Sequence, residues 1–341
     1  MSAGDRRVFL ELPVRRVDCP VCKVVKTERH PLLADNPFFT RRAAFYIGRR
    51  CRDSTVKAIA EELHLEWRTV KELDKEYMQK QLDAAGVARP KVLGIDEIHL
   101  GKKLGYRIVV TDLLRGRAIW FGGTDRKMES LQLFYDWLGP ARSGAVRLVV
   151  MDMWKPYELC TRQNVPTANI LFDKFHVLKG LGEALDDVRK SEYSRLTGAP
   201  RKFIKGQKYA LLSNPDSLTT AGRAGLRKLL AANKRLNTAY LLKESFAQLW
   251  GYTKPAWALK FFENWKASLK WQRLGPYQKF VGTVERHWEG IIVYCDPANH
   301  VPLGFVEGFN NKIRSMQRRA FGFHDEEYLR LKLLTCMLKP I

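Results

Sequence analysis

The chain has 341 residues, 45% of them hydrophobic, and carries 59 Lys and Arg against 36 Asp and Glu, a net charge of +23. That length accommodates two or three modest domains. Its apolar runs, such as residues 146–151, are too short to cross a bilayer, and Met1 to Arg16 lack the unbroken apolar stretch of a secretory signal, so a soluble, cytoplasmic protein is expected. The positive excess points to a phosphate-rich partner, because basic side chains displace counterions from a nucleic-acid backbone. It is uneven: residues 176–341 hold 28 basic and 14 acidic residues, which puts most of the backbone-gripping surface there.

Residues 1–35 read as a small irregular module around Cys19-Pro20-Val21-Cys22, a CxxC pair resembling one knuckle of a zinc ribbon. A structural zinc takes four ligands, and the spacing of His30 and Cys51 does not mark them as the other two, so the pair is either half a zinc site or the remnant of one. The remaining cysteines are scattered and read as buried thiols. Residues 36–85 read as a helix-turn-helix. Val56, Ile59, Ala60 and Leu63 recur at helical spacing, His64-Leu65-Glu66 breaks the pattern, and Trp67, Val70, Leu73 and Tyr77 resume it. The second helix would enter a major groove with Arg68, Thr69 and Lys71 near bases or phosphates; a helical hairpin that binds nothing is the alternative. A linker, Ala84 to Pro90, follows.

The period then changes. Lys91 to Asp96, Tyr106 to Thr111 and Arg117 to Phe121 read as strands, Met128 to Leu138 as a helix, Val146 to Met151 as a strand, Pro156 to Gln163 as a helix and Asn169 to Phe172 as a strand. Three meandering strands followed by helix-linked crossovers imply an α/β fold, a ribonuclease-H-like mixed sheet, over residues 90–175. From 176 to 300 the strand signal vanishes in a Lys-, Leu- and Trp-rich stretch too long to be a loop, which reads as a helical insertion. Trp257, Phe261 and Trp265, spaced four apart, read as a core stripe rather than a base-stacking surface. Residues 301–341 read as two helices that close the catalytic core.

Apolar strands that run straight into lone acids, Asp96 and Asp152, are unusual as pure structure. Phosphoryl transfer needs hard cations held by a few carboxylates, so two such acids at one sheet edge read as metal ligands. Glu97 adjoins Asp96 but faces the other way along a strand, so Asp96 is preferred. The third acid comes from Glu285, Glu289, Asp296 or Glu307; Glu307 is favoured because Asn311 lies one turn on, with Lys312, Arg314, Arg318 and Arg319 nearby for phosphate. Magnesium is the expected ion, with manganese as a substitute.

The strings GIDEIHLGKKLGYRIVVTDL, VVMDMWKPY, ILFDKFHVLK, DDVRKSEY and EGFNNKIRSMQRRAFGF resemble the ISL-three family of insertion-sequence transposases, over roughly residues 15–335. The resemblance implies catalytic acids at Asp96, Asp152 and Glu307, and places Asp173 and His176 near the site. It also implies a zinc-ribbon and helix-turn-helix front end; of the two CxxC pairs usual there, this sequence carries the second. The function implied is metal-dependent strand cleavage and strand transfer on double-stranded DNA, at terminal inverted repeats and at a target. It would be carried out in a bacterial, nucleoid-associated setting by a homo-oligomer holding two ends, with no membrane involved. The rival readings are a nuclease of the same fold and a non-catalytic DNA-binding relic or regulator.

Overall fold

The computed structural model describes every residue except 1, 4, 5, 8, 29, 88, 102–104, 214, 321, 322 and 324; parts of two motif strings, 102–104 and 321–322, therefore lie outside the described residues. The chain divides into two compact units. One comprises residues 1–88, 117–121 and 308–341, the other residues 89–116 and 122–307. Residues 301–341, grouped with the catalytic core from the sequence, thus divide at 307/308 between them.

In the first unit a short hairpin, β1 (Arg16–Asp18) and β2 (Val25–Thr27), carries Cys19 and Cys22 in its turn. Cys51, the other thiol considered for zinc, is buried in the helical core. Among the described residues no group of three or more metal-binding side chains forms here. Three helices follow: α1 (Arg41–Arg50), α2 (Val56–Leu63) and α3 (Trp67–Ala85). Each starts where a side chain caps it. Thr40, Thr55 and Glu66 accept from the backbone N–H groups of Ala43, Ala58 and Arg68. His64, at φ 50°, closes α2 in the left-handed conformation, which is why the apolar period breaks there. Ile47, Ile59, Ala60, Val70 and Leu73 form their common core. At Gly48 a Cβ would lie 2.3 Å from Tyr77 Cβ, so α1 and α3 touch backbone to side chain.

The second unit is built on a sheet. Its strands are β3 (Val92–His99), β4 (Tyr106–Asp112), β6 (Leu148–Met151) and β7 (Asn169–Phe172), in the order β4-β3-β6-β7; β5 (Arg117–Gly122), the strand hydrogen-bonded next to β4, is grouped with the first unit except for Gly122. β3 pairs antiparallel with β4 and parallel with β6, and β6 parallel with β7. Helices α4 (Met128–Leu138) and α5 (Lys155–Asn164) make the crossovers. The sequence reading ended the first strand at Asp96. β3 instead runs on to His99, because β4 keeps pairing beyond the point where β6 stops.

Beyond β7 the chain is helical: α6 (Lys174–Arg195), α7 (Thr220–Ala232), α8 (Lys234–Phe246), α9 (Pro255–Ser268) and α10 (Gly275–Arg286) are its longer elements. Phe246, Phe262, Trp265 and Phe280 pack together, with Trp265 Nε1 donating to Leu242 O at 2.9 Å. The expected stripe of Trp257, Phe261 and Trp265 is corrected to Ala258, Phe262, Trp265 and Leu269; Trp257 is 56% and Trp271 81% exposed. A stripe is set by every apolar residue that returns to one face, and Ala258 and Leu269 carried it as much as the rings.

Two helices finish the chain, α11 (Gly304–Arg319) and α12 (Glu326–Thr335). Within the first unit α12 packs on α3 through Met78, Tyr328 and Leu331. Asp74, fully buried, takes a hydrogen bond from Tyr328 Oη at 2.5 Å and an ion pair from Lys332 at 2.6 Å. Among the described residues no helix is long and apolar enough to cross a membrane.

Candidate active site

Strand register builds the site. β3 and β6 pair Gly94 with Val150, and β6 and β7 pair Met151 with Phe172. Asp96 and Asp152 stand two residues beyond the paired Gly94 and Val150, and Asp173, one residue beyond the paired Phe172, donates its N–H to Met151 O at 2.9 Å, so the three aspartates follow the same end of three neighbouring strands. Side chains alternate along a strand, so Asp96, within β3, continues the row of Val92 and Gly94. Val92, Leu148, Val150 and Leu171 form one apolar cluster whose cover is Val306, in the first turn of α11. Asp96 therefore emerges on the sheet face that Val306 covers. Gly94 makes the cover close: a Cβ there would lie 2.6 Å from Thr111 Oγ1 and 2.9 Å from Val306 Cγ2.

Backbone amides orient these acids. Asp96 Oδ1 accepts from Glu97 N at 2.8 Å, and Asp152 Oδ1 from Met153 N at 2.6 Å. Asp173 caps α6, accepting from Phe175 N at 2.9 Å, and its Oδ2 lies 3.4 Å from His176 Nδ1. Burial alone would lower the His176 pKa; Asp173, Asp152 and Asp96 outweigh it and hold the imidazolium above its usual range. Hard oxygen donors converging at one strand end suit a hard divalent cation.

Glu307 follows Val306 in the first turn of α11 and is exposed, with Asn311 one turn further along the same helix. Asp96 and Asp152 stand at neighbouring strand ends, Asp173 and His176 are paired beside β7, and Glu307 stands in the first turn of the helix whose Val306 covers the sheet. Among the described residues no three such side chains stand close enough to share one ion.

The face opposite Asp96 holds a group that sequence reasoning set aside. Glu97 is bonded to the Arg126 guanidinium, which also lies 4.0 Å from Asp152 Oδ2 and 4.6 Å from the Trp154 ring centre. Burial raises the Glu97 pKa, with Asp96 and Asp152 adding to the effect and Arg126 and Tyr157 opposing it. Tyr157, buried beside Glu97, is likewise pushed well up. Arg126 sits in the turn before α4, where no periodicity marks it; the DMWKPY string around Asp152 was the only signal, through Trp154 and Tyr157.

The expected DNA contacts fall in the first unit. Arg68 is exposed beside the Trp67 ring and Thr69 is half-buried. Lys71 is tied to Asp325 at 2.6 Å, so its charge is already partnered. Lys312 Nζ donates to Cys336 O, Arg314 to Asn311 Oδ1, and Arg319 to Arg52 O and Asp53 O, while Arg318 is exposed.

The model of a transposase domain of the family ISL3 matches residues 93–333, from the strand that bears Asp96 into α12. The chain belongs to the ISL3 family of insertion-sequence transposases. A second family model, the helix-turn-helix domain of the same family, matches residues 28–78. The chain is 32% identical over 333 residues to the transposase for insertion sequence element IS1001 of Bordetella parapertussis, covering 96% of this chain and 81% of that one. It is 28% identical over 357 aligned residues to the transposase for insertion sequence element IS1557 of Mycobacterium tuberculosis, covering 96% and 78%. The mixed sheet, the helix-turn-helix and the three aspartates are thus parts of a transposase, whose function is DNA transposition.

Proposed function

We propose that this transposase cleaves DNA strands at the ends of its insertion sequence and joins the freed 3′ ends to target DNA. Its sheet would be a ribonuclease-H-like core in which Asp96, Asp152 and Glu307 hold divalent metal. The observation that carries the reading is that β3 and β6 pair in parallel up to Gly94 and Val150, two residues short of Asp96 and Asp152, with Val306, the neighbour of Glu307, packed on the same strands. The ion chosen is magnesium, with manganese able to replace it, because the donors are carboxylate oxygens. When bound it neutralises charge on the scissile phosphate and aligns the attacking and leaving oxygens.

The chain's own residues do the positioning. The amides of Glu97 and Met153 fix the two aspartates, and Asp173, beside the His176 ring, helps hold its pKa up, so that the imidazole would offer a donor to phosphate oxygens. The helix-turn-helix would read the terminal inverted repeats through Arg68 and Thr69, and Arg314, Arg318 and their neighbours on α11 would meet phosphates. Two ends must be held at once, which calls for a homo-oligomer.

The test is cleavage of a labelled duplex carrying the element's terminal repeat, with and without magnesium. Asp152→Asn is expected to bind the repeat as the unaltered chain does and to lose cleavage by roughly a thousandfold or more. Unchanged cleavage would overturn the metal assignment.

A further inference from the structure

Two carboxylates compete for one guanidinium beside the aspartates. Glu97 holds Arg126 in direct contact, while Asp152 Oδ2 stands 4.0 Å away. Arg126 is also clasped by aromatic rings, 4.6 Å from the Trp154 centre and 5.8 Å from that of Tyr106, and Trp154 Nε1 donates to Arg126 O at 2.7 Å. An arginine does not give up its charge, so without Glu97 its nearest remaining anion is Asp152. A full salt bridge there would occupy a carboxylate oxygen that a metal ion needs.

We infer that Glu97 is a positioning residue: it restrains Arg126 and so keeps Asp152 open to a divalent cation. The inference rests on the metal reading proposed above. It assigns work to the acid that strand alternation turns away from the metal side, and it explains why a half-buried glutamate stands next to Asp96.

The experiment measures Mn2+ binding by the loss of the free-ion electron paramagnetic resonance signal, on the full chain. Asp152→Asn is the control and is expected to lose the site. Glu97→Gln should raise the half-saturating Mn2+ concentration roughly threefold to tenfold, the scale of one partly exposed charge contact. Arg126→Gln should bind at least as tightly as the unaltered chain. The double variant should bind like Arg126→Gln, since the restraint matters only while the arginine is present. A glutamate serving merely as packing would weaken the double variant as much as the single one. The inference is overturned if Glu97→Gln binds Mn2+ unchanged or if removing Arg126 does not rescue it. Should Glu97→Gln fail to fold by circular dichroism, Arg126→Gln decides alone: weaker Mn2+ binding in it overturns the inference. If Asp152→Asn keeps the site, the metal reading itself fails, an outcome distinct from a failure at Glu97.

Discussion

Gly94 and Asp96 are two residues apart on one face of β3, and the first explains how the second is held. With Thr111 Oγ1 at 2.6 Å and Val306 Cγ2 at 2.9 Å from where a Cβ would be, there is no room for even a methyl group. Gly94→Ala is expected to destabilise the chain by about 1–3 kcal/mol in a urea melt, the usual cost of overfilling a packed core, and to disturb the seat of α11. Asp96 and Asp152 were legible because each ends a buried apolar run, a pattern that core packing alone does not produce. Glu97 and Arg126 were not. Alternation correctly turned Glu97 away from Asp96, but a partner arriving from a turn leaves no periodic trace, so nothing in the sequence joined residue 97 to residue 126.

Elements follow the same division. β3 to β7, α2 and α3 were readable from period and caps, since each is specified by its own residues. The docking of α12 on α3 was not, because it depends on Asp74 meeting Lys332 and Tyr328 across the length of the chain. Lys332→Met is expected to cost about 3–5 kcal/mol by denaturant unfolding, since it strands a buried charge; Asp74 has almost no exposure. Asp325 opens α12, accepting from Tyr328 N and pairing with Lys71 and Lys75. Burial would raise its pKa, but those two lysines and the amide hold it far below the usual carboxylate range. A depressed acid stabilises the fold above its unfolded pKa and loses that contribution as pH falls. The urea-stability difference between the unaltered chain and Asp325→Asn is therefore expected to be full near pH 6 and to shrink as pH drops below about 4.

For the whole molecule the net charge of +23 sets a strong, salt-sensitive attraction to DNA of any sequence. Not every cation contributes to it. Arg68 is exposed, whereas Lys71 already faces Asp325. Arg68→Ala is expected to lessen the slope of log affinity against log salt by about one unit, and Lys71→Ala to change it much less, measured by fluorescence anisotropy on a repeat duplex. Charge counting over the sequence treated the two alike, because partners far along the chain are invisible to it. That distance has a consequence in time. Asp74 and Tyr328 are 254 residues apart. A ribosome adds roughly 5–20 residues per second, so the helix that completes the DNA-reading unit is born tens of seconds after the helices it steadies. The second unit is complete first, so a nascent chain holds Asp96, Asp152 and Asp173 in place before the last helix of the first unit exists.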